Sequence, residues 1–148
     1  MRQHGQIAVT NGNADFTAGS AFRQYGDIIL ANGSGTVLAS GDALQAGKLV
    51  AQKGSIAVTA AHDLKNTGTI SAAAKLDINT VNDITQIQGV MIGGNGTIVN
   101  ANNLTNNGGV IFSGADIDLT IKNKLQNLNS ASIYAQGNVC LLYTSDAA

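Results

Sequence analysis

Asp63 and Asp83 stand twenty residues apart, and Asn103 and Lys124 continue the same column. A row of carboxylates on one face could supply the paired acid and base needed to cleave a polysaccharide. The mixed run Asp, Asp, Asn, Lys reads instead as corner chemistry, in which short polar side chains bond the nearby backbone. Asp116 and Asp118 flank Ile117 and are expected to face outward together. Beside Lys122 and Lys124 they read as a solvated surface. His4 and His62 lie far apart, and residues 1–139 hold no cysteine to join them, so they form no metal set.

The other motifs are weaker. GGNGTIV at 93–99 has the glycines of a calcium-binding nonapeptide but lacks the aspartate after the third glycine, and it occurs once. Neither a Ser-His-Asp set nor a G-x-S-x-G elbow stands out. No outward Thr-x-Thr motif recurs at the chain's own period, which argues against an ice-binding face. Asn32, Asn95 and Asn103 begin N-x-S/T patterns, which arise by chance in any Asn-rich chain. No catalytic, cofactor-binding or metal-ligating residue is assigned, and the expectation is a protein that is not an enzyme and carries no cofactor.

Composition narrows the class further. The 148 residues are 44% hydrophobic with a net charge of -1, and only 11% are charged, against roughly 25% in ordinary globular proteins. There is no proline or tryptophan. Asn, Gly, Thr and Ser supply the polarity, and these residues suit turns and sheet surfaces. With no basic stripe and only three Phe and three Tyr, nucleic acid is excluded as a partner. No apolar run is long enough for a membrane-spanning helix, and MRQHGQIAVTNGN lacks the apolar middle of a secretory signal. The chain is therefore either cytoplasmic or an internal piece of something longer. The last nine residues, CLLYTSDAA, match without mismatch the translation of TGT CTC TTA TAC ACA TCT GAC GCT GCC, a stretch of a transposon-based sequencing adapter. This predicts a non-native tail over 140–148, so that Cys140 carries no redox information, and a natural chain that ran on past Val139.

The elements that carry these residues follow from a repeat. DLKNTGTI at 63–70 returns as NLTNNGGV at 103–110 and, degraded, as KLQNLNSA at 124–131. Leu44, Leu64, Ile84, Leu104 and Leu125 are spaced 20, 20, 20 and 21. Six places earlier stand Leu38, Val58, Ile78, Ile98 and Leu119; six places later stand Val50, Ile70, Val90, Val110 and Ala131. All fifteen are apolar, which random placement would produce about five times in a million. Positions eight before (Thr36, Ile56, Leu76, Gly96, Ile117) and eight after (Gln52, Ala72, Ile92, Phe112, Ile133) extend two of the columns with strand alternation.

Three inward stations per 20-residue unit predict an all-β fold: a right-handed parallel β-helix with three short strands per coil, spanning 1–139 and regular from about residue 35. About seven coils at about 4.8 Å each give a rod about 33 Å long. Asn66, Gln86, Asn106 and Asn127 share a column suited to an amide ladder. Gly68, Gly108 and Asn129 share a bend; Gln88 interrupts it, and Gly89 is expected to take it over. The 28 residues from Phe16 to Leu44 predict an interrupting loop of about eight residues. The extra residue before Leu125 is placed in the corner Ser113–Asp116. Ile78, Val81, Ile84 and Ile87 have helical spacing, but the β-branched and Asn-rich surroundings favour strands.

The units GSIAVTAAHDLKNTGTISAAAKLDI and GTIVNANNLTNNGGVIFSGADIDLTI resemble the haemagglutinin repeats of filamentous haemagglutinin and of contact-dependent growth-inhibition exoproteins. The resemblance runs over about residues 35 to 139 and rests on the period and the L-x-N-x-G-x-I core. It implies a structural or adhesive shaft of a large exoprotein, secreted by or displayed on a Gram-negative bacterium. The implied partners are a two-partner-secretion transporter in the outer membrane and a receptor or glycan on a host or neighbouring cell. The sequence departs from a whole member in showing no signal peptide, secretion domain or toxin module, as a piece of shaft would. The alternative is a β-helical carbohydrate-active enzyme, such as a polysaccharide lyase or hydrolase.

Overall fold

Short runs in which apolar and polar residues alternate, bounded by Gly, Asn, Asp and Ser, each form a strand, because alternation gives the strand one face to bury. The computed structural model describes residues 1–143. Coil 1 comprises β1 (Arg2–Gln3), β2 (Ile7–Val9) and β3 (Ala14–Ala18), and coil 2 comprises β4 (Phe22–Gln24), β5 (Ile28–Leu30) and β6 (Gly35–Ala39). Coil 3 holds β7 (Ala43–Gln45), β8 (Lys48–Ala51) and β9 (Ile56–Ala60); coil 4 holds β10 (Leu64–Asn66), β11 (Thr69–Ala72) and β12 (Leu76–Thr80). β13 (Asp83–Ile87), β14 (Val90–Gly93) and the start of β15 (Thr97–Asn107) make coil 5. The rest of β15, β16 (Val110–Ser113) and the start of β17 (Ile117–Leu128) make coil 6. The rest of β17, β18 (Ser132–Ala135) and β19 (Val139–Tyr143) complete coil 7.

Each strand pairs in parallel with its counterparts in the coils above and below. The result is a parallel β-solenoid with three faces, and the second face is a continuous sheet of seven strands from β2 to β18. The core is one file of apolar side chains per inward station. On the first face Phe22, Ala43, Leu64, Ile84 and Leu104 are buried in register, with Leu125 packed below them. The second face contributes Ile28, Leu49, Ile70, Met91 and Ile111; the third contributes Val37, Val58, Ile78, Val99 and Leu119.

The register corrects several sequence assignments. Leu64 pairs with Ala43, so Leu44 lies beside Lys65 on the outer surface. Val37 takes the inward place assigned to Leu38, which is 45% exposed. Leu49, Met91, Val99 and Ile111 replace Val50, Val90, Ile98 and Val110, while Ala131 lies outside the strands and Ile133 stacks on Ile111. The flanking stations shift likewise: Gly35 and Thr97 point inward rather than Thr36 and Gly96. Ala51, Gly93 and Ser113 replace Gln52, Ile92 and Phe112. The cause is pitch. The inward step is 21 residues from Phe22 to Ala43 to Leu64, from Leu49 to Ile70 to Met91 and from Ile78 to Val99, but 20 from Leu64 to Ile84 to Leu104, from Val58 to Ile78 and from Met91 to Ile111. A fixed step of 20 therefore slips by one, and a slip of one exchanges the inner and outer faces of a strand.

No loop interrupts the first coils: Phe16 pairs with Val37, Phe22 heads the first-face file, and RQHG, RQYG and LQAG recur at 21-residue steps. The extra residue before Leu125 lies at Lys122–Asn123 rather than in Ser113–Asp116, since Ala101 pairs with Ile121 and Asn103 with Lys124. Gln88 itself takes the left-handed bend, at φ 53°, alongside Gly108 at 66° and Asn129 at 56°. Gly68 has a different reason to be glycine: a Cβ there would overlap the carbonyl oxygen of Gly47 in the preceding coil, and Gly47 stands in the same relation to Gly26.

Two places beyond the first-face file runs a column of buried amides: Gln3, Gln24, Gln45, Asn66, Gln86 and Asn106, with exposed Asn127 at its end. From Asn66 onward it is a ladder. Asn66 Nδ2 donates to Gln86 Oε1 at 2.8 Å, Gln86 Nε2 to Asn106 Oδ1 at 3.0 Å, and Asn106 Nδ2 to Asn127 Oδ1 at 2.9 Å. Before Asn66 the amides turn to the backbone instead: Gln24 Nε2 donates to Gly26 O and Lys48 O, and Gln45 Nε2 to Gly47 O. Either way the amide nitrogens inside the shaft find acceptors, as buried polar groups must. Of the tail predicted over 140–148, Cys140–Tyr143 lie in β19 with every side chain exposed; residues 144–148 fall outside the described residues.

Candidate functional site

Asp63 and Asp83 are corner residues, each one position before or at the start of a first-face strand. Asp63 Oδ1 accepts the Asp83 backbone N–H at 3.0 Å, and Asp42 Oδ1 accepts that of Asp63 at 3.1 Å. Asn103 Nδ2 donates to Asp83 Oδ1 at 2.8 Å, and the next side chain in the chain of bonds is Asn123 rather than Lys124. These carboxylates brace one coil on the next. Asp42 was missed because the fixed step of 20 put its column out of register.

The first face carries charged side chains of both signs. Arg23, Leu44 and Lys65 are registered neighbours in one outward column, and with Asp42 and Asp63 they line a cleft of about 230 Å³. His62 Nδ1 lies 4.0 Å from Asp42 Oδ1, with both side chains largely in solvent. His4 is elsewhere, stacked on Tyr25 with ring centroids 4.8 Å apart. Among the described residues no three His, Cys, Asp or Glu side chains gather as a metal site would require.

Asp116 and Asp118 do face outward on either side of buried Ile117. Lys75, rather than Lys122 or Lys124, lines a hollow of about 170 Å³ with them, together with Asn95 and Gly96. Asp116 Oδ1 accepts the Asn138 N–H at 2.8 Å, again as a corner brace. GGNGTIV forms the corner between β14 and β15: Gly96 is left-handed, and Thr97 Oγ1 is turned inward to Phe112 O. Of the three N-x-S/T asparagines, Asn32 and Asn103 are hydrogen-bonded, while Asn95 is exposed.

The outward columns change character from coil to coil. Thr17, Leu38, Thr59, Asn79, Asn100 and Thr120 succeed one another on the third face. On the second, Ile29, Val50, Ser71, Ile92, Phe112 and Tyr134 form a mostly apolar column ending in an aromatic contact at 4.7 Å. Among the described residues no helix is long and apolar enough to cross a membrane. Comparison with protein families, curated proteins and solved structures gives no match.

Proposed function

We propose that this chain is a structural and adhesive shaft segment of a large bacterial exoprotein, secreted or displayed at the cell surface and without enzymatic activity. The supporting observation is the contrast between inside and outside. The inward files and the amide column repeat through every coil, whereas the first-face outward column runs Arg2, Arg23, Leu44, Lys65, Thr85, Thr105, Gln126. On this face regularity is confined to what holds the rod together, so its outward side chains are free to vary with whatever they meet.

Export through an outer-membrane transporter of the two-partner type fits the same architecture. Residues 1–139 contain no cysteine, so no disulfide would hinder threading of an unfolded chain. Each coil contacts only its neighbours, so folding can begin on the emerging residues and propagate along the axis. The reading is tested by glycan-array and cell-binding measurements on the purified chain. Saturable binding supports adhesion, and its absence on all surfaces reduces the segment to a spacer. The cleft lined by Arg23, Asp42, Asp63 and Lys65 favours one rival, a carbohydrate-active enzyme. Polysaccharide cleavage abolished by Asp42→Asn or Asp63→Asn would establish that rival instead.

A further inference from the structure

The chain contains four Asn-Gly pairs, Asn11-Gly12, Asn32-Gly33, Asn95-Gly96 and Asn107-Gly108. Asparagine is a thermolabile residue, and a following glycine leaves no Cβ to keep its backbone nitrogen from the Asn side chain. The fold treats the four pairs differently. Asn107 Oδ1 accepts from Asn129 Nδ2 at 2.6 Å, and the Gly108 N–H donates to Leu128 O at 2.9 Å. Asn32 Nδ2 donates to Thr10 O at 2.9 Å and to Asn11 Oδ1 at 3.3 Å, which engages two of the remaining side chains. Asn95 is exposed. Neither its side chain nor the Gly96 N–H has a hydrogen-bond partner among the described residues, and Gly96 sits at φ 142°.

We infer that Asn95 is a site of spontaneous deamidation in the folded protein. The Gly96 backbone nitrogen, giving up its proton to solvent base, attacks Asn95 Cγ; the bond from Cγ to the side-chain nitrogen breaks, and ammonia leaves. The resulting succinimide is opened by water at either carbonyl, to aspartate or to isoaspartate. One water is consumed and one ammonia released, with no change of oxidation state. The new carboxylate enters the hollow shared with Lys75, Asp116 and Asp118, so this corner gains negative charge as the protein ages.

The test is to hold the folded protein at mildly alkaline pH and map its peptides by mass spectrometry, following replacement of amide NH2 by OH and the appearance of isoaspartate. Asn95 is expected to convert about tenfold faster than Asn107, whose side chain and attacking N–H must each first give up a hydrogen bond. In urea the rates at the four pairs should converge. Asn129→Gly keeps the left-handed corner while removing the donor to Asn107, and should raise the Asn107 rate several-fold. Conversion at Asn107, Asn11 or Asn32 as fast as at Asn95 in the folded chain would overturn the inference, as would selectivity that persists in urea.

Discussion

Gln86→Ala removes the middle rung of the ladder. Gln86 is fully buried; its Nε2 donates to Asn106 Oδ1 and Val110 O, and its Oε1 accepts from Asn66 Nδ2. Truncation leaves Asn106 Oδ1 buried without a partner, while Asn66 Nδ2 keeps Val90 O at 3.3 Å. The orphaned acceptor costs about 1–3 kcal/mol, the other lost bonds about 1 kcal/mol, and the void another 1 kcal/mol or so, about 3–5 kcal/mol altogether. Gln24→Ala makes the comparison. Its Oε1 has no partner among the described residues, so removing that orphaned acceptor offsets the void, and only two donor bonds are lost; about 1–2 kcal/mol is expected. Urea titration followed by far-UV circular dichroism reads both as midpoint shifts at constant slope. A double-mutant cycle should give coupling of about 0.5 kcal/mol or more for Asn66 with Gln86, and none for Gln24 with Gln45. Equal costs for Gln86→Ala and Gln24→Ala would mean that the ladder contributes nothing beyond corner bonds, contrary to this account.

Register makes a second contrast: Leu44→Lys, on the outer surface, should change stability by under about 0.5 kcal/mol, while Ala43→Lys, which buries an ammonium, should unfold the chain; thermal melts decide. Gly47→Ala should destabilise measurably because its Cβ meets the Gly26 carbonyl, whereas Gly19→Ala, with open space around it, should melt with the wild type. Leu104→Asp places a carboxylate in the fully buried file. If folding biases export outward, this variant should be secreted poorly from a transporter-bearing cell, and normal secretion of the demonstrably unfolded variant would count against that idea. Val139, Leu141 and Tyr143 occupy inward register positions in coil 7, yet are 49%, 44% and 50% exposed. The chain should therefore associate as concentration rises, and light scattering from a stable monomer would contradict this.

The solenoid was legible in the sequence because three apolar stations and an Asn/Gln column recur in residues 56 to 127 with little drift. Val58, Ile78, Leu64, Ile84 and Leu104 all occupy the places their spacing predicts. Elsewhere, in coils 2 and 3 and again at Val90, Ile98 and Val110, the spacing misled because apolar residues often stand on both faces of a strand. Leu44 follows Ala43, Leu38 follows Val37, and Val50 follows Leu49, so a one-residue slip still lands on an apolar side chain. The polar residues held the better signal. Gln3, Gln24 and Gln45 recur at 21-residue steps and would have set the pitch, since an amide is tolerated inside only where its partners are in place. The corner role of Asp63 and Asp83 was readable from the mixed column. The cleft beside Asp42 was not, because it depends on bringing Arg23 and Lys65 to either side of Leu44, which only the true pitch does.

Cysteine pairs along one outward column test the stacking most directly. In a Cys140→Ser background the pairs 23/44, 44/65, 65/85, 85/105 and 105/126 replace registered neighbours on successive coils. Their Cα atoms should lie about 4.8 Å apart, within the range a disulfide spans. All five pairs should close within the monomer under mild oxidation, while 44/64 stays open because Leu64 points into the core. Closure of 44/64 in preference to 44/65, or closure of only scattered pairs, would contradict a solenoid with this register.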